Sequence, residues 1–143
     1  MAFPGADDEE RSLRRLAALV SEAEKIGMPV IAESIPGTWA RTIPWDAEHI
    51  AKCARICVEI GADAIKTMAP PDLADLPEVV ANCEAPLFVL GGPKKDSEDD
   101  AVQYAADVVA AGASGIAFGR NTWGAEDPAA MVRRLHAAVH GST

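Results

Sequence analysis

The chain has 143 residues, 49% hydrophobic and 24% charged, which fits one globular domain with a real core and excludes a disordered chain. A net charge of −9 and a pI near 4.7 exclude a surface that attracts nucleic acid as a whole, so an anionic substrate needs a local positive site. The opening MAFPGADDEE lacks the basic region and apolar core of a signal peptide, and no apolar run approaches the roughly 20 residues that span a bilayer; a cytoplasmic protein without a membrane partner is expected.

Helix and strand signals alternate along the chain. Residues 7–26 carry Leu13, Leu16, Ala17, Val20 and Ala23 at helical spacing. Asp7, Asp8, Glu9 and Glu10 stand at the end where the helix dipole favours acids, and Gly27 stops the helix. Residues 28–34 (MPVIAES) are a short apolar run bounded by Gly and Pro, the mark of a buried strand. Residues 36–44 form a loop rich in turn formers, with Trp39 and Arg41. A second helix covers 46–60, with Gly61 in a C-cap role, and a second strand covers 62–68. Pro70 and Pro71 open a third helix over 72–82. A third strand, 86–90, ends in Gly91-Gly92-Pro93. Ser97 caps a fourth helix over 97–111, and Gly112 precedes a fourth strand, 115–118. Gly119-Arg120-Asn121 follow, and 128–140 is the last helix. Short strands apolar on both faces, with helices between them, are the signature of a parallel sheet covered by helices: an α/β fold of βα units. No linker or composition shift divides residues 1–143, so they form a single unit.

Lys66 interrupts the second strand, in Asp63-Ala64-Ile65-Lys66-Thr67-Met68. Alternation sets Asp63, Ile65 and Thr67 on one face and Ala64, Lys66 and Met68 on the other. A lysine in a central strand is costly unless it is paired or functional. Burial favours its neutral amine, the form that attacks a carbonyl. The structural alternative is a strand-end lysine that snorkels or pairs with a carboxylate. Gly91-Gly92 and Gly119-Arg120 end the next two strands with bare backbone N–H groups, which suit a phosphate oxyanion. In (β/α)8 barrels the last two βα loops often hold phosphate, although turn chemistry alone also uses glycine there.

The combination GADAIKT, VLGGPK and GIAFGRNTW, together with EAEKIGMPVIAES and ARICVEIGADAIKT, resembles the class I, Schiff-base aldolases of the DeoC/FbaB/LacD type. That group includes archaeal-type fructose-bisphosphate aldolase, aminodideoxyheptulosonate synthase and the autoinducer-2 phosphate thiolase. The resemblance implies a TIM (β/α)8 barrel, of which this chain supplies the C-terminal half, strands 5–8, with parallel strands alternating with helices. It places the imine-forming lysine at Lys66 and the phosphate at Gly91, Gly92, Gly119 and Arg120. It implies a phosphorylated sugar or ketone as substrate, carbon–carbon cleavage or formation or a thiolase-like acyl transfer, and neither metal nor cofactor.

Two departures from the family pattern stand out. The match begins with residues 1–4 at the end of strand four, so strands one to four and an acidic residue near strand one have no counterpart. A half-barrel exposes its edges and inner face; a homo-oligomer or a separate N-terminal half-barrel is the expected partner. The stretch Glu33-Ser34-Ile35-Pro36-Gly37 puts Ile35 where some members carry a proton-transferring tyrosine and Gly37 where they carry an arginine. Tyr104 lies on a helix and does not take that place. If Glu33 shares alternation with Ile31 and Ile35 it faces the barrel interior, either as an acid/base group or as a carboxylate paired with Lys66 or the other half.

The remaining candidates read as structural. Cys53, Cys57 and Cys83 are odd in number, contain no CxxC, and suit buried thiols in a reducing cytoplasm rather than zinc. His49, His136 and His140 suit helix surfaces or caps, and residues 97–100 an acidic helix start. Lys94 and Lys95 stand near the phosphate glycines or in a solvated loop, and Trp39, Trp45 and Trp123 suit loop and packing roles. Two functional readings follow: an aldolase acting through a Lys66 imine, or a catalytically inactive half-barrel that serves as an assembly or binding module.

Overall fold

The computed structural model describes residues 1–40 and 43–141. Arg41 lies outside the described residues. Helix α1 spans Glu9–Glu24 and buries Ser12, Leu16 and Ala23. Strand β1 is Ile31–Glu33, shorter than residues 28–34. Pro29 has no N–H to give to a ladder, and Val30 N donates to the Asp63 carboxylate at 2.7 Å instead. Helix α2, Ala47–Glu59, is capped by the Asp46 side chain, which accepts from His49 N, and buries Ile50, Ala51, Cys53, Ala54 and Cys57 along one face. Gly61 follows with φ +110°, a conformation that favours glycine.

Strand β2 is Ala64–Thr67. The single helix expected over 72–82 is instead a 3₁₀ turn, Leu73–Asp75, and then helix α3, Leu76–Cys83. Pro77 explains the break: it lacks an N–H and fits only the first turn of a helix, so regular α bonding starts at Leu76. Strand β3 is Leu87–Leu90, and helix α4, Glu98–Ala110, is capped by the Ser97 hydroxyl, which accepts from Asp100 N. Strand β4, Gly115–Ala117, is followed by a short helix α5, Arg120–Trp123, and by helix α6, Pro128–His140.

The sheet order is β1-β2-β3-β4, all parallel. Residues 1–4 add to its outer edge: Ala2 N donates to Glu33 O at 2.9 Å and Ile35 N donates to Ala2 O at 3.0 Å. One sheet face carries Ala32, Ile65, Thr67, Leu87 and Val89, buried beneath Ile50, Ala54 and Cys57 of α2, Leu76, Val79 and Cys83 of α3, and Val108 of α4. Full burial of Ile65, Leu87 or Val89 stabilises the fold by roughly 1.5–3 kcal/mol each. A smaller cluster, Ala101, Ala105, Met131 and Leu135, joins α4 to α6.

The other face is the open inner face expected of a half-barrel. Ile31, Glu33, Ala64, Lys66, Phe88, Leu90 and Ala117 lie on it through the ladder register. Among the described residues no helix covers that face, and Ile31 is 60% exposed. No helix among the described residues is long and apolar enough to cross a membrane.

Candidate active site at the C-terminal ends of the strands

The strands share a direction, so their C-terminal ends gather the loops that follow them. A cleft of about 780 Å³ opens there, lined from β1 to β4 by Glu33, Lys66, Leu90 and Ala117 and by the loops beyond them. The register pairs Glu33 with Lys66 across β1 and β2, with both side chains on the open face. Lys66 Nζ stands 2.7 Å from Glu33 Oε1. Their side chains are 32% and 18% exposed, so the amine is paired and partly shielded rather than buried. Ile35 is fully buried. Its N–H donates to Ala2 O at 3.0 Å, next to the bond that Glu33 O accepts from Ala2 N.

Gly91, Gly92, Gly119 and Arg120 come together at the β3/β4 end of the same cleft. Gly91, Gly92 and Gly119 present backbone rather than side chains to this end of the cleft. Gly92 has φ +65°, and a Cβ there would meet nothing within 4 Å. At Gly119 a Cβ would collide with the Trp123 ring. Arg120 Nη2 donates to Gly92 O at 2.9 Å, which ties the two glycine loops together.

Asn121 is the site residue that the sequence reading left without a role. It is buried, and its Nδ2 donates to Gly91 O at 3.0 Å and Pro93 O at 3.1 Å. Its Oδ1 accepts from Lys95 N at 2.7 Å. One amide therefore satisfies three backbone groups of the loop after β3. The signal was its place beside Gly119-Arg120 at a strand end, but only the fold shows that it reaches the other loop. Lys94 is turned to Gly124 O at 2.6 Å, while Lys95 Nζ lies 4.0 Å over the Tyr104 ring. Tyr104 stacks on Phe118 at 5.9 Å and lines the cleft wall; burial pushes its phenol pKa up.

The loop after β1 supplies the opposite end. Trp39 and Trp45 meet edge to face at 5.8 Å, and Trp45 Nε1 donates to Pro36 O at 3.0 Å. Trp39 is 50% exposed and Trp123 71% exposed.

The other candidates stay outside this cleft. His49 sits beside its capping Asp46 at 2.7 Å. His136 and His140 have ring centroids 4.6 Å apart and line a separate apolar cleft of about 310 Å³ between α6 and the free edge of β4. Cys53, Cys57 and Cys83 are buried free thiols, and burial pushes the Cys53 pKa up to about 12. Glu98 and Asp99 bind Arg134 of α6. No group of three or more His, Cys, Asp or Glu among the described residues is gathered to hold a metal ion.

Known proteins are similar to this chain in sequence and fold. The model of the DeoC/LacD family aldolases matches residues 1–125. The 2-amino-4,5-dihydroxy-6-oxo-7-(phosphonooxy)heptanoate synthase of Streptomyces griseus is 30% identical over 96% of this chain and 50% of its own length. The 3-hydroxy-5-phosphonooxypentane-2,4-dione thiolase of Salmonella typhimurium is 32% identical over 96% of this chain and 45% of its own. An archaeal fructose 1,6-bisphosphate aldolase structure superposes with a TM-score of 0.89 at 32% identity, covering 99% of this chain and 56% of that one. A related archaeal aldolase structure, with a TM-score of 0.89, 32% identity and coverage of 98% and 56%, holds its catalytic lysine covalently bound to the carbinolamine intermediate of the substrate. The chain thus spans about half the length of these relatives, and its four βα units form half of their barrel. On the match over residues 1–125 and on the shared fold, the chain belongs to the DeoC/LacD family of aldolases.

Proposed function

We propose that the chain carries the imine-forming part of a class I aldolase site, in which Lys66 forms a Schiff base with a phosphorylated ketone or aldehyde. The observation that carries this reading is the Lys66–Glu33 pair, 2.7 Å apart, in the same cleft as the glycine loops of β3 and β4. Glu33 takes a proton from the Lys66 ammonium, leaving the neutral amine to attack the carbonyl carbon. The carbinolamine hydroxyl then takes that proton from Glu33 and leaves as water, giving the iminium. In cleavage, the C3–C4 electron pair moves into the iminium to give an enamine. The C4 hydroxyl proton passes to Glu33 as the aldehyde departs. Protonation of C3 and hydrolysis by water return free Lys66. The backbone N–H groups of Gly91, Gly92 and Gly119 and the Arg120 guanidinium hold the phosphate, a charge-assisted arrangement suited to an oxyanion.

The open sheet face supports a second element of the reading. A second half-barrel, either another copy of this chain or a separate N-terminal half, covers Ile31 and Phe88 and closes the ring of strands. If that half alone supplies the chemistry, this chain is an inactive assembly or binding module. Deuterium exchange separates the two: in D2O, the enamine route puts deuterium on C3 of dihydroxyacetone phosphate, and Lys66→Ala abolishes it. Folded chain without exchange, alone or with an N-terminal half, contradicts the imine reading.

A further inference from the structure

We infer that the β1/β2 end of the cleft is an acceptor subsite for an aldehyde with a flat apolar group, in chemical class an aryl aldehyde, rather than for a second phosphate. The inference rests on the Schiff-base reading, which sets the phosphorylated donor on Lys66 with its phosphate toward β3 and β4. The acceptor must then approach from the remaining side, over the loops after β1 and β2.

The two ends of the cleft differ in chemistry. The β3/β4 end offers Arg120, Lys95 and the backbone of Gly91, Gly92 and Gly119. The described residues at the other end are Trp39, Trp45, Met68 and Ala69. The cation between the two ends, Lys66, is matched by the Glu33 carboxylate at 2.7 Å, so that pair adds no net charge toward a second phosphate. Trp45 is fixed by its bond to Pro36 O, and Trp39 leans on it edge to face while staying 50% exposed. A half-exposed indole braced in a cleft is a stacking platform for a planar apolar group, and such contacts contribute beyond area burial. In the synthetic direction the enamine carbon bonds to the aldehyde carbon. The aldehyde oxygen takes up a proton and becomes a hydroxyl, and water then frees Lys66 from the imine. Arg41 belongs to this loop and lies outside the described residues, so the test includes a phosphorylated acceptor.

The experiment is saturation-transfer NMR on the full chain, with benzyl alcohol as an unreactive aryl probe and glyceraldehyde 3-phosphate as its rival, in inorganic phosphate to fill the β3/β4 end. We expect transfer to the benzyl ring, a loss of about fivefold or more in Trp39→Ala, and retention in Trp39→Phe, which keeps an aromatic face. Matched circular dichroism spectra show that the variants are folded. No transfer to benzyl alcohol, undiminished transfer in Trp39→Ala, or displacement by glyceraldehyde 3-phosphate overturns the inference. Borohydride trapping of dihydroxyacetone phosphate on Lys66 reports the Schiff-base reading separately. An adduct without aryl binding removes only the subsite; aryl binding without an adduct removes the imine chemistry and the acceptor role with it.

Discussion

Replacing Asn121 by alanine should loosen the phosphate end of the cleft from behind. The wild-type amide makes three hydrogen bonds, to Gly91 O at 3.0 Å, to Pro93 O at 3.1 Å and from Lys95 N at 2.7 Å. A net hydrogen bond contributes about 1 kcal/mol, and a buried group left without a partner costs about 1–3 kcal/mol. The Gly91 bond is buried and the other two are partly so. The expected loss is therefore about 2–3 kcal/mol, or a fall in Tm of roughly 6–9 °C for a chain of this size. Urea unfolding followed by circular dichroism reads it directly. Inorganic phosphate should raise the wild-type midpoint and raise the variant's much less, because the loop that presents Gly91 and Gly92 is no longer held. Asn121→Asp should be at least as damaging, since it sets a carboxylate against two carbonyl oxygens. A variant within about 0.5 kcal/mol of wild type, the spread of an ordinary surface change, with unchanged phosphate stabilisation would refute this account of the loop.

Other outcomes follow from the same geometry. Glu33→Gln keeps the side chain's length but removes its proton transfer, so C3 exchange of dihydroxyacetone phosphate should slow by about 10²-fold, the low end for a general acid–base group; an unchanged rate counts against Glu33. Gly92→Ala should cost about 1 kcal/mol in unfolding free energy, because φ is +65° there and the added methyl group itself meets no atom. The Cys53 thiol, held neutral up to about 12 from an ordinary 9.0, contributes stability that is complete below pH 9 and lost as pH rises from 9 toward 12. Urea midpoints should fall across that window, and less so in Cys53→Ala. Ile31→Lys on the open face should shift light-scattering mass toward the monomer if that face is covered in solution, and equal masses for both proteins contradict the closure.

Much of the fold was legible because its signals are local. Apolar spacing in α2, the Ser97 cap and the glycines that end α1, α2 and α4 each act within a turn or two of chain. Lys66 was legible as an interruption in an apolar strand, and its pairing with Glu33 was among the weighed alternatives. The misreadings came where proline removes donors. Pro29 shortened β1, and Pro77 split the helix expected over 72–82. The roles of Asn121 and of the Trp39–Trp45 pair were hidden for a different reason. Their partners lie in other loops, or depend on which face of the sheet is left open, and no periodicity encodes that. The short helix α5 is too brief to show a period and was read as part of a loop.

The most direct measurement is borohydride reduction of the chain in dihydroxyacetone phosphate, with intact mass and peptide mapping, beside Lys66→Ala and Glu33→Gln. The account predicts a single reduced adduct on the peptide that carries Lys66, none in Lys66→Ala, and slower labelling in Glu33→Gln and in excess inorganic phosphate. Folded protein that gives no adduct, or an adduct on another lysine, contradicts it.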